Sequence, residues 1–103
     1  KSLDFSKMKQ LNYLDLSMNN LSEIKSKYFK QNSLITHLLL TKNKISSIQM
    51  FSFESLKNMQ TLDLSYNFLE YFEASFFGFD VNFFELTDLY LRKNLIYLCV
   101  FFH

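Results

Sequence analysis

Apolar residues recur along this chain at a fixed spacing that includes an asparagine. Residues 11–21 read LNYLDLSMNNL, with leucines at relative positions 1, 4, 6 and 11 and Asn19 at position 9. The same spacing starts again at positions 35, 59 and 86, so successive copies begin 24, 24 and 27 residues apart. The equivalent asparagines are Asn43, Asn67 and Asn94. An internal repeat of this length predicts a solenoid, whose coils bury their apolar side chains against each other.

A second set of residues keeps the same period. Phe5, Phe29, Phe53 and Phe77 are each 24 residues apart, which predicts a structural column of phenylalanines inside the solenoid. The period divides a single domain, 1–103, into a partial repeat 1–10, repeats 11–34, 35–58 and 59–85, and a partial repeat 86–103. Residues 1–10 are expected to add Phe5 and Met8 to the core. Because neither end has a polar cap, we expect apolar ends that can self-associate.

Apolar Leu14 and Leu16 alternate with polar Asp15 and Ser17 within residues 12–17, and the equivalent segments of the other copies are 36–41, 60–65 and 87–92. A period of two predicts strands with one buried face, here stacked as a parallel sheet of about four short strands. The asparagine that follows is expected to end the strand, because its amide can bond the backbone of neighbouring coils. Phe5, Met8 and Leu11 also fit helical spacing, but a helical array gives no reason for asparagine at one fixed position.

The pattern LxxLxLxxNxL resembles the signature of the leucine-rich repeat. The segments LDLSMN at 14–19 and LDLSYN at 62–67 are similar to the extracellular animal type, with Toll-like receptor ectodomains nearest and adhesion and matrix proteins next. The resemblance implies an α/β solenoid: a right-handed coil with the sheet on its concave face and loops, 3-10 or short helical turns on its convex face. The chain departs from the family by lacking proline and by placing Asn32 at an otherwise apolar position.

Composition argues against several functions. Eleven basic and ten acidic residues give a net charge of +1, which provides no bulk attraction to nucleic acid or to an anionic membrane. The apolar run 95–102 is too short to span a bilayer, and the first residues do not form a signal peptide. No catalytic motif, metal-ligand spacing or cofactor loop is present, so the chain is not expected to be an enzyme or to bind a metal or cofactor. The single cysteine, Cys99, falls in an inward column and is expected to be a buried structural thiol, while His37 and His103 lack catalytic partners in the sequence.

Recognition remains as the function, and the outward strand residues are the candidates. Leu39 and Tyr90 stand out because their column otherwise holds Asp15 and Asp63. Aromatic and charged groups on such a face suit protein binding. The candidate partner-binding residues on the concave face are Tyr13, Asp15, His37, Leu39, Asp63, Tyr66, Asp88, Tyr90 and Arg92. The alternative interpretation is that these are ordinary solvated positions on one stretch of a horseshoe.

Two further features have a functional and a structural interpretation. The three extra residues of the third repeat lie within 78–85, which predicts either a ligand-binding loop or a longer return path packed on the flank. Asn20-Leu21-Ser22 is a glycosylation sequon, although about one is expected by chance in a chain with this many asparagines. The resemblance implies an extracellular protein-recognition segment, as in innate immunity. An intracellular (cytoplasmic) repeat scaffold and a fragment without a function of its own remain alternatives.

Overall fold

Four short parallel strands, one from each repeat, form a continuous sheet. The computed structural model describes residues 3–78 and 86–96. The strands are β1 (Tyr13–Asp15), β3 (His37–Leu39), β5 (Thr61–Asp63) and β6 (Asp88–Tyr90), in the order β1-β3-β5-β6. All neighbours are parallel, and their register follows the sequence period: Tyr13 lies beside His37, His37 beside Thr61, and Thr61 beside Asp88. The predicted α/β solenoid with a small parallel sheet is therefore confirmed.

The return path of each coil contains little regular structure. The first and second coils each contribute a strand of two residues, β2 (Glu23–Ile24) and β4 (Ser47–Ile48). These strands pair in parallel to form a second sheet, which the sequence pattern did not predict. The third coil instead has a 3-10 helix at Ala74–Phe77, which ends at Gly78. Gly78 has a φ of 91°, a value that L-residues with a side chain rarely adopt. This glycine therefore allows the chain to leave the helix at the start of the insertion.

The core consists of columns of equivalent residues from successive coils. Leu38, Leu40, Leu62 and Leu64 are all completely buried, whereas their counterparts in the outermost strands are only partly buried. The phenylalanines form one continuous stack, with ring centroids 6.0 Å apart for Phe5–Phe29, 6.4 Å for Phe29–Phe53 and 5.6 Å for Phe53–Phe77. Burial thus depends on having a coil on both sides, as expected of a solenoid.

The asparagines at the ends of the strands join successive coils. Asn67 donates from Nδ2 to the carbonyl oxygens of Leu64 in its own coil and Leu40 in the preceding coil, and its Oδ1 accepts from the Ile45 amide. Asn43 and Asn94 bond the preceding coil in the same way. Asn19 lies at the edge, where its amide donates only to carbonyls of its own coil. Each bend therefore satisfies backbone groups that it would otherwise bury without partners.

Some expectations differ from the structure or lie outside it. The regular strands are three residues long rather than six, although ladder bonds continue past them, as in the 2.8 Å bond from the Leu16 amide to the Leu39 oxygen. Met8 was expected in the core but is 54% exposed, since it belongs to the outermost coil. Asn32, in contrast, is fully buried and donates to the Phe5 and Met8 carbonyls. Cys99, His103 and residues 79–85 of the insertion lie outside the described residues.

Candidate recognition surface

The outward residues of the four strands lie side by side in straight columns. One column contains Tyr13, His37, Thr61 and Asp88, and the next contains Asp15, Leu39, Asp63 and Tyr90. Parallel strands lie about 4.8 Å apart, so neighbours in a column can contact one partner together. Tyr13 and Tyr90 are 55% and 47% exposed, which leaves both rings accessible. The structure therefore brings these eight positions together on one face, and seven of them are sequence-predicted candidates.

The aspartates of the repeated LDLS segment have a local structural role. Asp15 Oδ1 accepts a 2.9 Å hydrogen bond from the Ser17 amide, and Asp63 Oδ1 accepts a 3.0 Å bond from the Ser65 amide. Asp4 makes the same bond with the Ser6 amide, and this backbone hydrogen bond lowers the pKa of the Asp4 carboxyl. A short aspartate side chain suits this turn-like bond to the backbone two residues ahead. Asp15 and Asp63 therefore stabilise the strand ends in addition to facing solvent.

Leu39 and Tyr90 occupy the same column without being able to accept this bond. In the second coil the Thr41 amide bonds Ser17 Oγ of the preceding coil instead, over 3.1 Å. Leu39 is half-buried and Tyr90 is exposed, so neither belongs to the core. An apolar and an aromatic side chain thus replace a structurally useful carboxylate at two places in one column of the concave face.

A column of left-handed residues follows the strands. Met18, Lys42, Tyr66 and Lys93 all have φ between 57° and 61°, and each directly precedes an asparagine of the ladder. Residues other than glycine rarely adopt this backbone conformation, and a bulky residue does so only where the surrounding structure enforces it. Here backbone hydrogen bonds to the next coil enforce it: the Met18 amide donates to the Thr41 oxygen, and the Lys42 amide donates to the Ser65 oxygen. The sequence contains no signal for this conformation, since none of the four residues is glycine.

The Tyr66 ring lies close to two cations, one from each neighbouring coil. Lys42 Nζ and the Arg92 guanidinium carbon each lie 5.8 Å from the centroid of the Tyr66 ring, within the range of cation–π attraction. Together with Asp63 and Tyr90 they line a shallow depression of about 250 Å³. Tyr66 and Arg92 were candidates from the sequence but Lys42 was not, because the contact joins residues of three different coils.

A second aromatic pair lies at the other end of the strands. The Tyr13 and His37 rings stack with centroids 5.6 Å apart and an interplanar angle of 25°. Thr36 Oγ1 lies 2.9 Å from His37 Nδ1 and 3.0 Å from the Asn12 carbonyl oxygen, to which it donates. The Thr36 hydroxyl therefore links the His37 ring to the backbone of the neighbouring coil.

The described part of the chain contains neither a metal-binding cluster nor a membrane-spanning helix. No group of three or more His, Cys, Asp or Glu residues within 3–78 and 86–96 could hold a metal ion. No helix in the same ranges is long and apolar enough to cross a membrane. The larger depression, of about 570 Å³, lies beside the first coil and has a mixed lining that includes Leu3, Leu21 and Glu23. Asn20 of the sequon lies on the rim of this depression and is exposed.

Comparisons with known proteins agree with the repeat pattern. A family model described as Leucine rich repeat matches residues 33–96, more than half of the chain, and a second Leucine Rich Repeat model matches residues 10–32. The chain is 45% identical over 56 residues to the Danio rerio protein named Transforming growth factor beta activator LRRC33, covering 52% of this chain and 8% of that protein. It is 31% identical over 102 residues to human Leucine-rich repeats and immunoglobulin-like domains protein 1, covering 95% of this chain and 9% of that protein. The chain thus spans less than a tenth of either relative.

Two solved structures share the fold. A TLR13–ssRNA13 complex matches with a TM-score of 0.81 and 32% identity, covering 92% of this chain and 13% of that chain. A Drosophila melanogaster SNF/U2A′ complex matches with a TM-score of 0.69 and 24% identity, covering 87% of this chain and 49% of that chain, which shows the fold alone. The predicted resemblance to part of a Toll-like receptor is confirmed by the first of these matches.

Proposed function

The chain belongs to the leucine-rich repeat family, and on that premise we propose that its concave face binds a partner protein. The observation that carries this proposal is the column Asp15, Leu39, Asp63, Tyr90. At two of its four places the aspartate that bonds the strand end is replaced, by a half-buried leucine and by an exposed tyrosine. Exposed aromatic groups surrounded by polar ones are typical of protein-binding surfaces.

The other candidate residues support the same surface. The Tyr13 and His37 rings stack on each other, and Lys42 and Arg92 each approach the Tyr66 ring to 5.8 Å, so each ring has neighbours that favour its orientation. Aromatic side chains contribute a large share of the affinity in many interfaces. The function is recognition rather than catalysis, and it requires no cofactor.

The resemblance to Toll-like receptors supports a finer proposal, recognition of a ligand outside the cell in innate immunity. The similar TLR13 structure is a complex with ssRNA13, and the Danio rerio relative is named as an activator of transforming growth factor beta. A protein ligand suits this chain better than RNA because its concave face carries Asp15, Asp63 and Asp88. An intracellular repeat scaffold differs from this proposal in compartment rather than in the surface used.

Substitution at Tyr90 tests the proposal without disturbing the fold. The Tyr90→Asp variant restores the LDxx pattern of two other coils and offers the Arg92 amide an acceptor, so we expect its unfolding midpoint to stay the same or rise. We expect peptides selected on the wild-type chain from a phage library of random 12-residue sequences to bind this variant at least about tenfold more weakly. The matched control is Met50→Asp, which changes an exposed apolar residue on the return path. Equal binding to all three proteins, or no selected peptides, would refute the concave-face proposal.

The compartment is tested at Asn20. Its exposed side chain in Asn20-Leu21-Ser22 is accessible to the glycosylation machinery, and an extracellular protein is expected to carry a glycan there. Protein isolated from its own cells should lose mass on treatment with peptide-N-glycosidase, and the Asn20→Gln variant should not. Unmodified protein recovered in the cytosolic fraction would support the intracellular scaffold instead.

A further inference from the structure

Charges of opposite sign occupy separate bands of the concave face. The two columns within the strands contain three carboxylates, Asp15, Asp63 and Asp88, and no lysine or arginine. Two further columns follow the strands, one at positions 17, 41, 65 and 92 and the other at positions 18, 42, 66 and 93. They contain three cations and no carboxylate. These cations are Lys42, Arg92 and Lys93, all of them exposed. The three negative and three positive charges of the face therefore balance, but they lie in separate bands.

The two bands lie within the reach of one bound segment. Consecutive residues on one face of a strand are about 7 Å apart, which is the spacing between the column of Asp63 and the column of Arg92. An extended partner segment has the same spacing between alternate side chains. A segment that carries an acidic residue and a basic residue two positions apart can therefore contact both bands at once.

The two cations at the Tyr66 depression suit the acidic residue of such a segment. The Arg92 guanidinium and the Lys42 ammonium, which come from the two neighbouring coils, lie at equal distances of 5.8 Å from the ring of Tyr66. At this distance from the ring the Arg92 guanidinium can still donate N–H groups to a carboxylate, with which a guanidinium forms short paired hydrogen bonds. Asp63 at the same depression uses Oδ1 for the Ser65 amide and keeps Oδ2 for a cation.

We propose that this depression binds a carboxylate side chain of a partner protein, and that a neighbouring basic side chain of the same segment faces Asp63 and the other strand carboxylates. The proposal rests on the proposed function and specifies its partner. A nucleic acid suits the surface less well, because its evenly spaced phosphates would place negative charge against Asp63 and Asp88. A partner segment with both signs of charge meets attraction in both bands.

The test uses the phage library of random 12-residue peptides with charge-reversed proteins. The library is selected on the wild-type chain and, in parallel, on the double variant Lys42→Glu/Arg92→Glu. Both substituted side chains are exposed, so circular dichroism is expected to be unchanged. The matched control is Lys7→Glu/Lys30→Glu, which alters the net charge equally through two exposed residues away from the strands. A fluorescein-labelled 12-nucleotide oligouridine serves as the RNA probe for all three proteins.

The expected peptides contain an acidic and a basic residue two positions apart. They should bind the double variant at least about tenfold more weakly than the wild type, and the control variant equally well. Selection on the double variant should yield peptides with a second basic residue in place of the acidic one. Peptides without acidic residues, or equal binding to all three proteins, would overturn the inference, as would oligouridine that binds more tightly than any peptide and depends on Lys42 and Arg92. If peptides lose affinity for Tyr90→Asp but not for the double variant, the inference fails while concave-face recognition stands.

Discussion

Replacing Asn67 by alanine tests whether the asparagine ladder holds the coils together. Asn67 is 3% exposed and makes four hydrogen bonds, donating to the carbonyls of Leu40, Leu64 and Ser65 at 2.9, 3.0 and 3.2 Å and accepting from the Ile45 amide at 3.0 Å. The alanine side chain makes none of these bonds. Asn67→Ala should therefore weaken the contact between the second and third coils more than any other contact.

The expected loss of stability depends on which hydrogen bonds the partners of Asn67 keep after the substitution. The Leu40 oxygen keeps its bond from Asn43, the Leu64 oxygen keeps its bond from Asn94, and the Ser65 oxygen keeps its bond from the Lys42 amide. Each lost carbonyl bond therefore costs only about 0.5 kcal/mol, at the low end for a hydrogen bond. The Ile45 amide, in a completely buried residue, loses its acceptor, and a buried donor without a partner costs about 1–3 kcal/mol. The expected loss of unfolding free energy is about 2.5–4.5 kcal/mol.

Urea unfolding followed by far-ultraviolet circular dichroism measures this loss. Sulfate in the buffer strengthens apolar burial and keeps a destabilised variant folded at the start of the titration. The matched control is Asn19→Ala at the solenoid edge, where the side chain donates only to the Leu16 and Ser17 oxygens, and a cost of about 0.5–1 kcal/mol is expected. An Asn67→Ala cost no larger than that of Asn19→Ala would refute the role of the ladder.

The Asn67→Asp variant separates the donor from the acceptor. It keeps an oxygen for the Ile45 amide but turns a carboxylate towards three carbonyl oxygens, so at neutral pH it should be at least as unstable as Asn67→Ala. The introduced carboxyl should have a raised pKa, because only its protonated form can donate to a carbonyl. Its stability relative to Asn67→Ala should therefore increase as the pH falls. A variant as stable as wild type at neutral pH would show that the acceptor alone matters.

Three further substitutions test the packing. Leu40→Ala should cost about 2–5 kcal/mol because Leu40 is completely buried, and Leu14→Ala in the partly buried first strand should cost about half as much in the same urea titration. Gly78→Ala should lower the unfolding free energy by about 1 kcal/mol, because φ is 91° and a Cβ would lie 3.1 Å from Glu54 Cγ; an unchanged midpoint would contradict this. Asn32→Leu should be neutral or stabilising, since Asn32 Oδ1 is buried without a partner in the described chain; a loss above about 2 kcal/mol would show that the two donated bonds outweigh it.

The period of the sequence predicted the strand register because each coil must stack its leucines on those of the next. A spacing of 24 residues places Tyr13 beside His37 and His37 beside Thr61, and the spacing of 27 places Thr61 beside Asp88. The pairing of β2 with β4 was missed because two residues are too few to form an alternating pattern. The left-handed conformation of Lys42 was missed because it is imposed by bonds to the neighbouring coil rather than by the residue itself.

The candidate site was predictable to the extent that it follows the columns. Tyr66 and Arg92 were identified by their positions after the strands, but their contact was not, because it depends on side-chain directions that the repeat leaves free. The local bonds of Asp15 and Asp63 were also missed, although the recurrence of LDLS was visible in the sequence. A recurrent outward residue thus has a structural explanation that periodicity alone does not provide.

The repeats allow one coil to serve as the reference for another. Where an outward aspartate bonds the strand end, as at Asp15 and Asp63, its recurrence is explained by stability. Where the column holds Tyr90, that bond is given up and an accessible aromatic ring is gained beside Asp63 and the Tyr66 depression. The positions most informative about function are therefore those that depart from the internal pattern at a cost in local bonding, and at Tyr90 this departure lies at the boundary between the two charged bands. A partner that spans this boundary would contact the aromatic ring and both signs of charge within one extended segment.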